Sequence, residues 1–292
     1  MIFNRYEKLK LLPDGCPLVN VVEAISLILI AFASTTLLSA VGLAGGVLIV
    51  PALILIFRLE SRYASGTSIF AIIFGIFSAA FTYFRQRRVD VKLALLFDTL
   101  DILGVVAGAY LAVILPSLVT ALLMGVFLIF SAWRLWAGGV KHPKNFERRR
   151  RRIAIKRRLT DREGNIYEYE LGVPELALSQ LASILSGVAT GLFGIGGGAV
   201  DTTVMMLIGV PPHVAVATSV FGMTITKIAG LFSHLALGNV LPEYGVPLAV
   251  GATLGGQLGP RISKRLRPLM LRKALSIVVL IVGLRMITLW FG

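Results

Sequence analysis

The sequence predicts an all-α, polytopic membrane protein built from two inverted repeats, and three observations carry this prediction. Hydrophobic residues make up 56% of the 292-residue chain and charged residues only 15%, whereas soluble domains carry about 25% charged residues. Glycine clusters interrupt apolar sequence at corresponding places in the two halves. Basic loops fall at alternating positions in the two halves. We therefore expect four to five membrane segments in each repeat, with broken or re-entrant helices at the glycines.

Several apolar runs reach or approach the length of about 20 residues that a helix needs to cross a bilayer. They include residues 19–41, 63–84, 93–115, 118–137 and 269–291. The mean hydropathy of +0.84 agrees with this reading. The single cysteine, Cys16, excludes an intramolecular disulfide and a cysteine-based metal cluster. We expect no cleavable signal peptide, because Asp14 and Pro17 precede the first run without a small-residue cleavage site.

Two glycine clusters mark the expected breaks. Residues 191–198 contain five glycines in eight positions, and residues 42–46 form a fainter copy. Each cluster is followed by an apolar piece of about a dozen residues, 47–57 and 199–210, which is too short for a normal crossing. Short, glycine-interrupted segments indicate broken or re-entrant elements. The alternative is that the glycines only let helices pack closely.

The two halves align at an offset of 151 or 152 residues. The matching landmarks are Gly45-Gly46 with Gly197-Gly198, Thr67-Ser68 with Thr218-Ser219, Gly104 and Gly108 with Gly255 and Gly259, and Arg134 with Arg285. Four landmarks in the same order indicate a duplication. The chain therefore divides into an N-terminal lead (1–18), a first transmembrane repeat (19–137), a central loop (138–173) and a second transmembrane repeat (174–292).

The basic loops predict how the repeats are oriented. Residues 85–92 are strongly basic, but the corresponding loop at 238–245 has no basic residue. Residues 261–273 carry six basic residues, whereas the corresponding Pro116-Ser117 turn is uncharged. Because basic loops favour the cytoplasmic side, this alternation predicts inverted topology. Arg58 and Arg62 fall on the outer side and fit this scheme poorly.

The central loop adds a local net charge of +6, and we expect it to be cytoplasmic and to include a small β-hairpin. The overall charge of +14 is then a topology signal and not a nucleic-acid interface. Contact of its arginine run with nucleic acid or anionic lipid is the alternative.

The paired elements resemble the two signature stretches of the TauE/SafE family, the sulfite and organosulfur anion exporters. The matching residues are 42–46 with Pro51, residues 194–198, and the Thr-Ser pairs that follow in each half. The resemblance covers nearly the whole chain apart from the central loop. It implies a membrane transporter for small anions or sulfur compounds. The chain departs from the family pattern at Thr203, where a proline matching Pro51 is usual, and at the unexpected acid Asp201.

An anion site follows partly from the residues themselves. Short helices that begin after glycine clusters present free backbone N–H groups and a positive dipole end, and hydroxyls can add donors. The predicted substrate-binding residues are Gly45, Gly46, Thr67, Ser68, Gly196, Gly197, Gly198, Thr218, Ser219 and Lys227. The predicted coupling residues are Asp101, Asp201 and His234. A structural ion pair is the alternative role for Lys227, and an interfacial position without function is the alternative for His234.

The resulting expectation is a secondary active transporter of a small anion, coupled to protons and working by alternating access in the cell membrane. The anion would be sulfite or an organosulfur or carboxylate anion. We expect no enzyme activity, cofactor or metal, and a homodimer is compatible with the sequence. The alternatives are an anion channel and an intramembrane aspartyl protease using two of Asp98, Asp101 and Asp201. Asp98 itself is expected just inside the interface, six positions from Lys92.

Overall fold

The computed structural model describes residues 19–137, 154–262 and 268–291. Within these residues the chain forms eleven helices and one two-stranded antiparallel sheet. The elements are α1 (Val21–Ser39), α2 (Gly46–Leu55), α3 (Ser61–Arg85), α4 (Val91–Asp98), α5 (Asp101–Ile114), α6 (Ser117–Trp136), β1 (Ala154–Thr160), β2 (Ile166–Gly172), α7 (Val173–Phe193), α8 (Gly198–Leu207), α9 (Pro212–Ala236), α10 (Pro242–Ile262) and α11 (Pro268–Phe291).

The helices confirm the predicted polytopic helical membrane fold. Five described helices are long and apolar enough to cross a bilayer: α1, α3, α6, α9 and the Leu176–Phe193 part of α7. Helices α4 and α5 make a sixth span if they are counted together. Large apolar side chains such as Leu103 and Phe232 are exposed on the outside of the bundle. A surface of this kind suits a lipid environment.

The segment predicted as one span at residues 93–115 is instead broken. Helices α4 and α5 meet at an angle of 45° across Thr99 and Leu100. A bend frees backbone carbonyls, which need other partners inside a membrane. The Gln180 side chain of α7 donates a hydrogen bond to the carbonyl of Leu96 beside the bend. The break therefore has a local partner and lies between two acidic residues, Asp98 and Asp101.

The β-hairpin marks one end of the bundle, which we call the hairpin end. Helix α3 ends at the hairpin end: the Arg162 backbone N–H in the hairpin turn donates a hydrogen bond to the carbonyl of Gln86, the residue after α3, at 3.1 Å. Helix α9 begins at the same end: the ring of His213, in its first turn, lies 6.5 Å from the ring of Tyr167 on β2. Helices α3 and α9 are the third elements of the two repeats and run in opposite directions. The repeats are thus inverted, as the basic loops predicted.

Each repeat packs its fourth element against the first helix of the other repeat. In α10, a β-carbon at Gly255 would lie 2.6 Å from the Phe32 carbonyl oxygen of α1. In α5, a β-carbon at Gly108 would contact the Val188 carbonyl oxygen of α7. The predicted glycine pairs in α5 and α10 therefore do allow close backbone approach, in mirrored places.

Two threonines join the repeats in the same mirrored way. The Thr218 hydroxyl on α9 accepts a hydrogen bond from the Asp90 backbone N–H at 3.0 Å, at the start of α4. The Thr67 hydroxyl on α3 accepts one from the Leu241 backbone N–H at 3.0 Å, at the start of α10. Each repeat thus fixes the beginning of the other repeat's fourth element. We call these two contacts the threonine joints.

The hairpin contacts the threonine joint at Asp90. The Arg157 guanidinium pairs with the Asp90 carboxylate at 2.5 Å, and the Tyr169 hydroxyl donates to it at 2.6 Å. Burial by itself raises the pKa of Asp90, but the hydrogen bonds from Arg157, Tyr169 and the Leu93 N–H outweigh it and lower the pKa below its usual value. Asp90 is therefore a buried, ionised anchor for the hairpin.

A second ion pair holds the hairpin turn. The Arg88 side chain lies 3.2 Å from the buried carboxylate of Asp161. Burial alone raises the pKa of Asp161, but hydrogen bonds from Asn165, the Glu163 backbone N–H and Arg88 lower it to about 2. The hairpin is thus fixed at two points to the segment that joins α3 and α4.

Candidate functional site

The two glycine clusters form two helix breaks with matching geometry. Gly42 and Gly194 adopt left-handed backbone conformations, with φ of 85° and 67°. Glycine takes this conformation without the steric cost of a side chain. The chain then enters α2 at Gly46 and α8 at Gly198, two helices of ten residues each. Both are too short to span a bilayer, as predicted.

The first break lies directly against the second. A β-carbon at Gly46 would lie 2.5 Å from the Gly194 carbonyl oxygen and 2.9 Å from the Ile195 α-carbon. The Ser68 hydroxyl of α3 donates a hydrogen bond to that same Gly194 carbonyl at 3.1 Å. Only glycine at position 46 allows this approach, and Ser68 satisfies the carbonyl that the break leaves free.

The second break lies against the first in a similar way, but the hydroxyl donor comes from a different helix. A β-carbon at Gly198 would lie 2.5 Å from the Gly42 carbonyl oxygen. Here the donor to Gly42 is the Thr202 hydroxyl of α8, at 3.1 Å. Ser219, the counterpart of Ser68, is buried. It lies on α9 between Val216 and Met223, which contact Gly42 and Gly198, and its hydroxyl is without a hydrogen-bond partner in the described residues.

Hydroxyls from the first helix of each repeat also face the breaks. Thr35 of α1 lies beside Gly45, where a β-carbon would contact its Oγ1. Ser186 of α7 lies in the same way beside Gly197. At the two helix starts, the Val47 N–H donates to the Ala44 carbonyl and the Val200 N–H donates to the Gly197 carbonyl. Small hydroxyl side chains thus lie beside both helix starts, and hydroxyls together with the backbone N–H groups of a helix start suit an anion.

A buried lysine lies at the second break. Lys227 of α9 is fully buried, and its ammonium group would lie 3.5 Å from a β-carbon at Gly196. The ammonium nitrogen has no hydrogen-bond partner among the described residues. A buried polar group without a partner is costly and calls for an explanation. A ligand bound at Gly196 would supply the missing partner.

Three carboxylates surround this lysine. Asp98, Asp101 and Asp201 are each at most 2% exposed, and all three interact electrostatically with Lys227. We call these four residues the charge cluster. Ser186 interacts with Asp201, yet neither Asp201 oxygen makes a hydrogen bond of ordinary geometry within the described residues. The cluster therefore holds more acidic groups than its single basic group can neutralise.

The exchange of fourth elements between the repeats assembles this cluster. Asp98 and Asp101 belong to the first repeat, but α4 and α5 pack against α7 and α9 of the second. Asp98 contacts the position of Gly222 on α9, and an Asp101 oxygen would lie 2.7 Å from a β-carbon at Gly187 on α7. Asp98, which was expected just inside the membrane interface, is buried in the protein against α9. The three-residue spacing of Asp98 and Asp101 was the signal that could have identified it.

His234 has a partner outside the cluster. Its Nε2 lies 2.9 Å from the Gly191 carbonyl oxygen, which can only accept, so Nε2 carries the hydrogen. Its Nδ1 lies 3.4 Å from the Asn239 side-chain nitrogen. In the first repeat, the Tyr83 hydroxyl donates to the Ser39 carbonyl at 3.1 Å. His234 and Tyr83 thus make the same kind of contact in counterpart positions.

The predicted substrate residues divide into two groups. Thr67 and Thr218 lie at the threonine joints, where their hydroxyls accept backbone N–H groups. The others belong to the breaks or to the helices α3 and α9 that pack against α2 and α8: Gly45, Gly46, Ser68, Gly196, Gly197, Gly198, Ser219 and Lys227. No group of His, Cys, Asp and Glu side chains suited to holding a metal ion occurs in the described ranges.

Comparison with known proteins decides the family. The family model described as "Sulfite exporter TauE/SafE" matches residues 27–286. The chain belongs to the TauE/SafE family. It is a membrane transporter of that family, which confirms the resemblance seen in the sequence.

Two prokaryotic relatives match along nearly their full length, and a plant relative matches over a part of its length. The "Probable membrane transporter protein YunE" of Bacillus subtilis (strain 168) is 30% identical over 269 residues, covering 89% of this chain and 96% of YunE. The "Probable membrane transporter protein MJ0441" of Methanocaldococcus jannaschii is 25% identical, covering 89% and 94%. The Arabidopsis thaliana "Sulfite exporter TauE/SafE family protein 3" is 30% identical over 37% of this chain and 23% of its own length. No solved structure shows a significant match.

Proposed function

We propose that this TauE/SafE protein is a secondary active transporter that carries a small anion and protons by alternating access. The substrate would be sulfite or an organosulfur or carboxylate anion. The observation that carries the proposal is the unpaired ammonium of Lys227 beside Gly196, where the two breaks cross. The lysine supplies a positive charge, the helix starts supply backbone N–H groups of the kind that bind anions, and the buried Ser219 hydroxyl of α9 has no partner among the described residues.

Charge balance supports coupling to protons. If all four groups of the charge cluster were ionised, one positive charge would face three negative ones inside the bundle. That excess is expensive within a membrane and would repel an anion. An anion can therefore bind at Lys227 only when carboxylates of the cluster carry protons. By thermodynamic reciprocity, anion binding then strengthens proton binding, which is the basis of co-transport.

We propose a structural part for His234 and place coupling on Asp101, Asp201 and Asp98. The support is the contact between His234 and the Gly191 carbonyl, which parallels the contact between Tyr83 and the Ser39 carbonyl.

For topology, we propose that the hairpin end is cytoplasmic. The support is that the basic loop at 85–92 and the hairpin lie at this end.

The burial of the site favours a carrier over a channel. Ser68, Ser219 and Lys227 are at most 1% exposed, and the two breaks are in backbone contact. An anion reaches these residues only after elements of the bundle move, which is the behaviour of a carrier. The protease alternative is disfavoured, because the chain belongs to a transporter family.

The test is an anion screen on purified full-length protein in proteoliposomes. Sulfite, sulfate, thiosulfate, sulfoacetate and short carboxylates are offered with and without a pH gradient. We expect saturable transport of at least one anion, at a rate that depends on the gradient. If none of these anions moves, the proposed substrate class is wrong. Flux far above carrier rates and independent of the gradient would instead indicate a channel.

A matched pair of variants tests the coupling. Asp201→Asn should remove or strongly weaken the dependence of transport on the pH gradient, because one proton-binding carboxylate is lost. Glu243→Gln removes an acid in the first turn of α10, outside the charge cluster, and should transport like the unmodified protein. Unchanged gradient dependence in Asp201→Asn would take Asp201 out of the mechanism.

A further inference from the structure

A second site lies at the hairpin end, apart from the glycine crossing. A cavity of about 740 Å³ opens between α3, α10 and the hairpin turn. Helices α3 and α10 touch closely further inside the bundle, where a β-carbon at Gly256 would contact the Gly75 carbonyl oxygen. Beyond that contact, larger side chains such as Phe81 of α3 and Leu258 of α10 separate the helices and form the cavity walls.

Three arginines from three separate elements line this cavity. They are Arg85 in the last turn of α3, Arg162 in the hairpin turn and Arg261 in the last turn of α10. None of the described residues that line the cavity is acidic. Arg162 is held in place by the hydrogen bond from its backbone N–H to Gln86, and the Arg85 guanidinium lies 5.6 Å from the centre of the Phe81 ring. Like charges converge here without a described counter-ion among the lining residues.

The walls below the arginines are largely apolar. Phe81 is 62% exposed although it faces the cavity, and Leu258 and Ile262 continue the apolar surface along α10. The Gln257 side chain and the hydroxyls of Ser78 and Thr82 add polar groups. The cavity thus combines a cationic rim at the end of membrane helices with an apolar wall. The region where helices leave the bilayer is also where lipid head groups lie.

We propose that Arg85, Arg162 and Arg261 form a binding site for a phosphate-type oxyanion, with the phosphate of an anionic lipid as one source and a free oxyanion as the other. Guanidinium groups bind phosphate oxygens with paired hydrogen bonds, and three of them match a tetrahedral group with several acceptors. The site uses none of the proposed transport residues. Its failure and that of the proposed transport function are therefore separable.

The experiment measures binding to the purified full-length protein. Native mass spectrometry with phosphatidylglycerol, and separately with phosphatidylcholine, counts bound lipid. Thermal melting with inorganic phosphate, against chloride at equal ionic strength, tests the free oxyanion. Arg162→Gln and Arg261→Gln are compared with Arg158→Gln, which removes the same charge from an exposed strand position paired with Glu168. Only variants that elute as a single folded species are scored.

We expect phosphatidylglycerol to bind in preference to phosphatidylcholine, with binding reduced several-fold in Arg162→Gln and Arg261→Gln and retained in Arg158→Gln. A phosphate-dependent rise in melting temperature that disappears in the same two variants would assign the site to a free oxyanion. The proposal is overturned if neither ligand binds preferentially, or if Arg158→Gln loses binding as much as the cavity variants do. Arg85→Lys, which keeps the charge, should retain part of the binding.

Discussion

Lys227 in the second repeat corresponds to Ile76 in the first, while the backbone around both positions follows the same plan. The breaks at Gly42 and Gly194 share a left-handed turn, the threonine joints repeat the same hydrogen bond, and the glycine pairs pack alike. The first break has no charged counterpart to the cluster at the second: Ile49 matches Asp201 and is buried like it. The duplication thus supplies a symmetric frame, and ionisable groups from both repeats, with Asp98 and Asp101 from the first, gather at the second break.

This contrast separates two proposed functions, the conformational change between states and the binding of ligand and protons. Alternating access needs two states of similar energy, and mirrored repeats supply equivalent packings for both. The proposed binding and coupling need a particular set of charges at one place, and the charge cluster lies at the second break. Substitutions in the frame should therefore act alike at mirrored positions of the two repeats, whereas substitutions in the charge cluster should have effects that the mirrored substitutions lack.

The largest effect is expected from Lys227→Met, which removes the ammonium but keeps a long side chain. Anion transport in proteoliposomes should fall to the level of empty vesicles, because no other described cation lies at the crossing. The matched change Ile76→Met at the mirrored position should leave transport measurable. Transport by Lys227→Met at the unmodified rate would contradict the assignment of lysine to the site.

The hairpin contacts the threonine joint at Asp90, whereas the joint at Leu241 has no such contact within the described part of the chain. The substitution Arg157→Gln tests this difference. This change leaves the Asp90 carboxylate buried without its cation and should cost about 3 kcal/mol of stability. Arg158→Gln, on the same strand but paired at the surface with Glu168, should cost less than about 1 kcal/mol. Thermal unfolding in nanodiscs makes the comparison. Equal melting temperatures for the two variants would show that the hairpin adds nothing at the Asp90 joint.

A smaller and symmetric effect is expected from alanine at the crossing. Gly46→Ala and Gly198→Ala each place a β-carbon 2.5 Å from a carbonyl oxygen of the other break. Forcing the two backbones apart should cost about 1–3 kcal/mol in either repeat. Thermal melting and transport rates should fall together in both variants. If only one variant were affected, the two breaks would not be equivalent.

The smallest effect is expected at the mirrored carbonyl contacts. Tyr83→Phe removes the donor to Ser39 and should lower the stability by about 1 kcal/mol. His234→Gln keeps a donor for Gly191 but cannot titrate near neutral pH. Its pH profile of transport should therefore match that of the unmodified protein. A displaced profile would return His234 to the coupling residues.

Much of the frame could be predicted from local sequence. The glycine clusters, the four landmarks and the alternating basic loops predicted helices broken at positions 42–46 and 191–198 and an inverted second repeat. These features depend on residue spacing along one segment. The bend between Asp98 and Asp101 was missed, because no glycine or proline interrupts the apolar run there.

The site was harder to predict, because its parts come from different repeats. Lys227, Asp101 and Asp201 were identified from their charge alone. That Asp98 joins them depends on α4 packing against α9, a contact between segments more than a hundred residues apart. The roles of Thr67 and Thr218 at the joints also depend on such contacts. Periodicity and motif spacing within one segment carry no information about these pairings.

The packing of α1 against α10 has a consequence for how the protein is made. Helix α1 is synthesised long before α10, the helix against which it packs most extensively. Until α10 is inserted, the α1 surface around Phe32 and Thr36, which later receives Gly255, faces lipid or the insertion machinery. Neither repeat can therefore complete its own packing alone, and assembly must wait for the second half. Two separately expressed halves should be degraded singly and rescued only when produced in the same cell.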